Sequence, residues 1–141
     1  MELYFLQTKL TTEYIFSEQQ PFEQPHDYKY QMDLIIKDKP FLIKDEPCTT
    51  HRDLRIIHCT DGWHYETQDK VPVQLRVSDD YSHLQAYVAG IPDQKKQEEK
   101  LLHLVKTAVE CRLASEHMFS LHAACIELDG KAIAFTASSG V

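Results

Sequence analysis

Leu121-His-Ala-Ala-Cys-Ile-Glu-Leu-Asp-Gly-Lys-Ala-Ile-Ala-Phe-Thr-Ala-Ser-Ser-Gly-Val141 decides how this chain is read. It divides into a strand, a tight turn, a second strand and the start of a loop. Asp129-Gly130 predicts a two-residue type I′ hairpin, because that turn needs φ > 0 at both central residues. Such a turn pairs Leu128 with Lys131, Cys125 with Ala134 and His122 with Ala137. His122 then stands beside Ala137-Ser-Ser-Gly-Val141. Ala123, Cys125, Ala132, Ala134 and Thr136 face one way, and Ala124, Ile126, Ile133 and Phe135 the other. Apolar side chains on both faces predict a buried strand pair. The alanine face leaves room for a helix.

That helix is expected just upstream. Asp93 can N-cap a run to about Phe119. Leu101, Leu102, Leu104, Val105, Ala108 and Val109 fall on one broad face at 100° per residue. Lys106, Glu110 and His117 lie opposite. Arg112 falls on the apolar stripe, as a snorkelling side chain at its edge or as a buried ion pair or contact to a docked partner.

Further out, residues 1–92 carry strand periodicity. Residues 2–8 and 13–16 read as a hairpin over Lys9–Thr12, followed by a loop at 17–27. Tyr28–Ile36 alternates with period two. Phe41-Leu42-Ile43 reads as a short return strand after the turn Asp38-Lys39-Pro40. Leu54–Cys59 and Trp63–Thr67 flank Asp61-Gly62, a second hairpin signal. Val71–Val77 and Tyr81–Val88 flank Asp79-Asp80, with Pro72 at a strand start or edge. The fold class is therefore α+β: an antiparallel meander of hairpins, one long helix and a terminal β-hairpin. Residues 1–92 form a β-rich accessory region. Residues 93–141 add the helix and hairpin, and the two parts fit one compact unit.

The chain has 141 residues, enough for one domain with its own core. A net charge of −7 argues against nucleic acid and anionic membranes as partners. There is no run of 18 apolar residues and no basic leader, so neither a membrane span nor a secretory signal is expected. Cys48, Cys59, Cys111 and Cys125 show no C-x-x-C spacing and fit reduced thiols of a cytoplasmic protein.

The terminal segment also carries a chemical signal. A phosphate-binding loop needs a buried strand, a Gly-rich turn, a lysine for the β- and γ-phosphates and a Ser/Thr for Mg²⁺. Here strand 132–136 is followed by Ala137-Ser138-Ser139-Gly140-Val141. The spacing matches only if Gly-Lys-[Ser/Thr] comes next, and on spacing alone a plain loop serves as well. Leu121-His-Ala-Ala124, the turn Asp129-Gly130-Lys131 and Ala134-Phe-Thr-Ala-Ser-Ser-Gly-Val141 together resemble the entry to the kinase core of the HPr kinase/phosphorylase and phosphoenolpyruvate carboxykinase-like superfamily. In that pattern a helix leads into a His-Ala-Ala strand. A hairpin and a Phe-Thr-[Gly/Ala]-x-Ser-Gly-x-Gly-Lys-Ser-Thr loop follow. The resemblance covers residues 121–141 and extends to the rest only in general layout.

The resemblance implies the N-terminal portion of an ATP-dependent kinase, with ATP and Mg²⁺ as cofactors of the longer parent. Ser138, Ser139, Gly140 and Val141 would form a partial nucleotide site. His122 would be a supporting or phosphate-sensing residue, with a structural histidine at a strand start as its alternative. The P-loop lysine, the Mg²⁺-binding Ser/Thr and the downstream acidic residues are not within residues 1–141, so the chain by itself is expected to be inactive and to bind no cofactor. The phosphate acceptor would be a protein, a peptide or a small molecule. Without further core strands, the hairpin edge is expected to self-associate.

Two other readings compete. One is a non-catalytic module whose meander presents an edge to a peptide or protein. The other is a small metal-binding protein using His51, His58, His64, Cys48 and Cys59. An Asp61-Gly62 turn would make Cys59 and His64 cross-strand neighbours, but no structural zinc spacing is met, so no metal ligand is assigned. Trp63 and the tyrosines read first as strand and core aromatics.

Overall fold

The computed structural model describes residues 1–17, 22–43, 48–51, 53–70, 72–89, 93–121 and 123–136, except the side chains of Cys48, Thr49 and His51. The architecture is α+β. An eight-stranded mixed sheet packs against one helix, and a two-stranded hairpin follows. The strands are β1 (Glu2–Phe5), β2 (Thr8–Thr12), β3 (Tyr30–Lys37), β4 (Cys48–His51), β5 (Leu54–Cys59), β6 (Gly62–Thr67), β7 (Gln74–Ser78) and β8 (His83–Tyr87). Helix α1 spans Gln94–Ser115, and the hairpin is β9 (Ala124–Leu128) with β10 (Lys131–Phe135). The sheet order is β1-β2-β3-β8-β7-β6-β5-β4.

The half from β4 to β8 is an antiparallel meander; β5 to β8 are the expected strands, and β4 is a strand in a stretch expected to be loop. The N-terminal half departs from a run of hairpins. β2 and β3 are parallel, and β3 is also parallel to β8. A parallel partner needs a crossover of a dozen or more residues, and the stretch from Glu13 to Lys29 is long enough to provide one. The first hairpin is also tighter than expected. It turns at Leu6-Gln7, both with positive φ (43° and 55°), so residues 8–12 are strand and 13–16 are not. Phe16 of that stretch instead enters the core at 2% exposure.

Apolar side chains of β2, β3, β6, β7 and β8 face the helix. Leu10, Met32, Leu34, Leu84, Ala86, Leu75, Val77 and Tyr65 form one cluster with Leu101, Leu104, Val105, Ala108 and Val109. Asp93 caps α1 as expected, its Oδ1 accepting from the Lys96 backbone N–H at 3.1 Å. The helix stops near Ser115, short of Phe119. His117 adopts φ 60°, and the N–H groups of Met118 and His117 donate back to the carbonyls of Leu113 and Ala114. This is a Schellman termination with histidine where glycine is usual. Arg112 ties the helix end to the sheet. Its guanidinium lies 4.7 Å from the Tyr30 ring centroid, and Nη1 donates to the Gln31 carbonyl at 2.7 Å.

The Asp61-Gly62 signal marks a hairpin in a different register. Cys59 pairs with Gly62, so the turn residues are Thr60 and Asp61. Gly62 sits at φ 152°, and a Cβ there would lie 1.9 Å from the Val77 carbonyl oxygen. The glycine is needed for that close approach to β7 rather than for a primed turn. Phe41–Ile43 forms no return strand; it is a strap whose backbone is held by side chains.

The terminal hairpin has the expected register but not the expected burial. Asp129 and Gly130 have φ 50° and 73°, as a type I′ turn requires. Leu128 pairs with Lys131 and Cys125 with Ala134. Every residue of β9 and β10 is nevertheless exposed. The reason lies in α1, whose apolar face is already buried on the eight-stranded sheet. Among the described residues no helix is long and apolar enough to cross a membrane.

Candidate functional site

Two regions bear on function. The first is the approach to the phosphate-type loop. Its last described pair is Phe135 opposite Ala124. His122, Ser138, Ser139, Gly140 and Val141 lie outside the described residues, as does the expected pairing of His122 with Ala137.

The second region lies on the sheet face turned away from α1. Side chains alternate along a strand, so Tyr65 and Leu75 enter the core while His64, Glu66, Gln74 and Arg76 face the other way. Register brings His64 opposite Arg76 and Glu66 opposite Gln74. On the next strand Arg55 pairs with Glu66. The four from β6 and β7 form a polar row that is far from solvated: His64 is 0% exposed, Gln74 5% and Glu66 8%.

The cover is the strap at Phe41 and Leu42. The Phe41 backbone N–H donates to Gln74 Oε1 at 2.8 Å, and Gln74 Nε2 donates to the Phe41 carbonyl at 3.3 Å. Arg76 Nη2 donates to the Leu42 carbonyl at 3.2 Å. The Arg76 guanidinium carbon lies 5.1 Å from the Phe41 ring centroid. The Phe41 and His64 rings meet nearly perpendicular, 6.1 Å apart at 85°. Below them Gln74 Nε2 also donates to Glu66 Oε1 at 2.7 Å, and Arg55 Nη1 donates to Glu66 Oε2 at 3.3 Å.

His64 is the unsatisfied member. Neither ring nitrogen has a hydrogen-bond partner among the described residues, and Nε2 stands 3.7 Å from Glu66 Oε1. Arg76 Nε is likewise buried without a partner. Burial lowers the His64 pKa below the usual histidine value; the Glu66 carboxylate opposes that shift, while Arg76 and Arg55 reinforce it. The imidazole is therefore neutral at pH 7. This arrangement can grip a peptide main chain and an aromatic ring. Among the described residues it holds no nucleophile aligned with a base.

Of the metal-type cluster, the side chains of Cys48 and His51 lie outside the described residues, and Cys59 and His64 do not become cross-strand neighbours. Cys59 faces Gly62 and His64 faces Ile57, because the turn sits one residue earlier than expected and so moves every cross-strand partner by two residues. His58 stacks on Trp63 at 4.2 Å between ring centroids. No group of three potential metal ligands occurs among the described residues. Glu66, Gln74 and Arg76 escaped the sequence reading because polar residues at period two look like a solvated strand face. The signal that could have found them is the apolar triplet Phe41-Leu42-Ile43 close by, which needs a surface to cover. Comparison with protein-family models, with curated proteins and with solved structures finds no match.

Proposed function

We propose that this chain is the N-terminal portion of an ATP-dependent kinase of the HPr kinase/phosphorylase and phosphoenolpyruvate carboxykinase-like kind. The observation that carries the reading is the terminal hairpin: a type I′ turn at Asp129-Gly130 with Phe135 opposite Ala124. Continued by two pairs, this ladder would set His122 opposite Ala137. Ser138, Ser139, Gly140 and Val141 would then open the phosphate loop beside that histidine. Backbone N–H groups of the loop would bind phosphate oxygens, as such loops do. The lysine and the Mg²⁺ ligand would come from residues after Val141. Residues 1–141 would position the loop and carry no phosphoryl transfer of their own. The acceptor would be a protein, peptide or small molecule, and the setting the cytoplasm.

The exposed hairpin supports the same reading. Its faces carry Ile126, Leu128, Ile133 and Phe135, all more than a third exposed. Such surface is the kind a parallel kinase core would cover. In the 141-residue chain, a second copy would pair with its edge instead.

The test extends the reading frame past Val141. Gly-Lys-[Ser/Thr] should follow, and the extended protein should bind Mg-ATP while the 141-residue chain does not. A stop codon or an unrelated sequence there would sink the proposal. Light scattering of the 141-residue chain checks the edge, and a strict monomer at high concentration would remove self-association from the account.

A further inference from the structure

The strap over β6 and β7 is held in an unusual way. Gln74 reads both the N–H and the C=O of one residue, Phe41, with a single side-chain amide. Arg76 takes the next carbonyl, Leu42, and places its guanidinium against the aromatic ring. These are main-chain contacts, indifferent to side-chain identity. The side-chain selectivity lies at Phe41 alone, since Leu42 is 90% exposed.

The floor beneath the ring is incompletely satisfied. His64 is fully buried with both ring nitrogens unpartnered among the described residues, and so is Arg76 Nε. Unpaired buried polar groups of this kind are destabilising. Phe41 covers these atoms but has nothing to bond them with.

We propose that His64, Gln74 and Arg76 form a peptide-binding site, occupied in cis by Phe41-Leu42. Its ligand in trans is an extended peptide bearing an aromatic side chain. The amide and carbonyl of that residue go to Gln74 and the following carbonyl goes to Arg76. The strap is then an intramolecular competitor. It joins no strand of the sheet, so it can lift without breaking a ladder. The apparent affinity for a trans peptide is the intrinsic one reduced by the fraction of chains with the strap lifted. This site uses no residue after Arg76 and stands apart from the kinase reading.

The test is a calorimetric titration of the 141-residue protein with a capped peptide of the sequence of residues 38–43. Phe41→Ala, which removes the ring and weakens the strap's hold on the site, should bind it roughly tenfold or more tightly than the wild type. Replacing phenylalanine by alanine in the peptide should abolish binding. Gln74→Ala added to Phe41→Ala should weaken binding roughly tenfold, the worth of the lost main-chain bonds. Absence of binding to folded Phe41→Ala, or binding indifferent to Gln74, would overturn the proposal. Hydrogen exchange of the wild type decides the matter even if Phe41→Ala does not fold. The Phe41 amide should exchange roughly a hundredfold or more faster than that of Leu84 in the central strand. Equal protection would mean that the strap opens only with the whole protein and would refute the competitor model.

Discussion

The eight-stranded body and the terminal hairpin are built from similar residues and end in opposite circumstances. In the body, Leu75, Leu84 and Ala86 are fully buried against α1. In the hairpin, Ile126, Leu128, Ile133 and Phe135 are 41–58% exposed. Both regions alternate correctly, and both have sound turn chemistry. The difference is the supply of a partner. One helix has one apolar face, and the sheet already covers it. Among the described residues the hairpin stands on its turn and ladder, a marginal basis for order in water. Burial of a strand pair is thus not a property of the strand pair.

The sharpest way to break this comparison is truncation on both sides of it. Leu104→Ala, in a fully buried position, should cost about 2–5 kcal/mol in denaturant unfolding. Ile133→Ala should cost under about 0.5 kcal/mol. Equal losses would mean that the hairpin is packed in solution. Next in size is pH. His64 titrates lower in the fold than in the unfolded chain. As pH falls through about 6.5 the unfolded chain takes up a proton and the folded one does not. Stability should then fall by up to about 1.4 kcal/mol per pH unit down to the folded pKa, and be fully present above 6.5. Chemical unfolding between pH 7.5 and 5 in wild type and His64→Gln measures it; an unchanged slope in the variant would assign the effect elsewhere.

Smaller still is the helix end. His117→Gly should raise stability by about 0.5–1 kcal/mol, because glycine reaches φ 60° without a Cβ penalty. A thermal melt that shifts downward would contradict the Schellman account. Smallest in global terms is Gly130→Ala. It should loosen β9 and β10, seen as faster amide exchange there, and leave the unfolding midpoint of the body unchanged. A lowered midpoint would join the two regions that burial separates.

What was legible in the sequence was local. Asp129-Gly130 carries its own geometry, and Asp93 carries a carboxylate at the right offset from Lys96, so both features read directly. The parallel placement of β3 was not legible. Nothing in Tyr30–Lys37 says whether its neighbour comes from 22 residues earlier or 50 later, since alternation specifies a buried face and no partner. The Asp61-Gly62 register was misread because glycine there answers a contact with Val77, far along the chain. The strap site was hidden for a related reason. Glu66 and Gln74 look solvent-facing until Phe41 is laid over them. Of the nucleotide-type residues, the sequence supplies a resemblance, and the described structure extends to the strands that approach them.

The position of β3 has a kinetic consequence. Its ladder to β8 joins Asp33 to His83, so the centre of the sheet cannot close until residues some fifty apart have met. The strands from β4 to β8 need only short loops between neighbours. Loop closure must be completed before distant contacts return anything, so local ladders form first. The chain should therefore assemble its C-terminal meander early and stitch the N-terminal three strands on late, with β3 as the seam. During synthesis, β1, β2 and β3 would leave the ribosome well before β8 exists to receive them. That interval is when an unpaired β3 edge is most open to pairing with another chain.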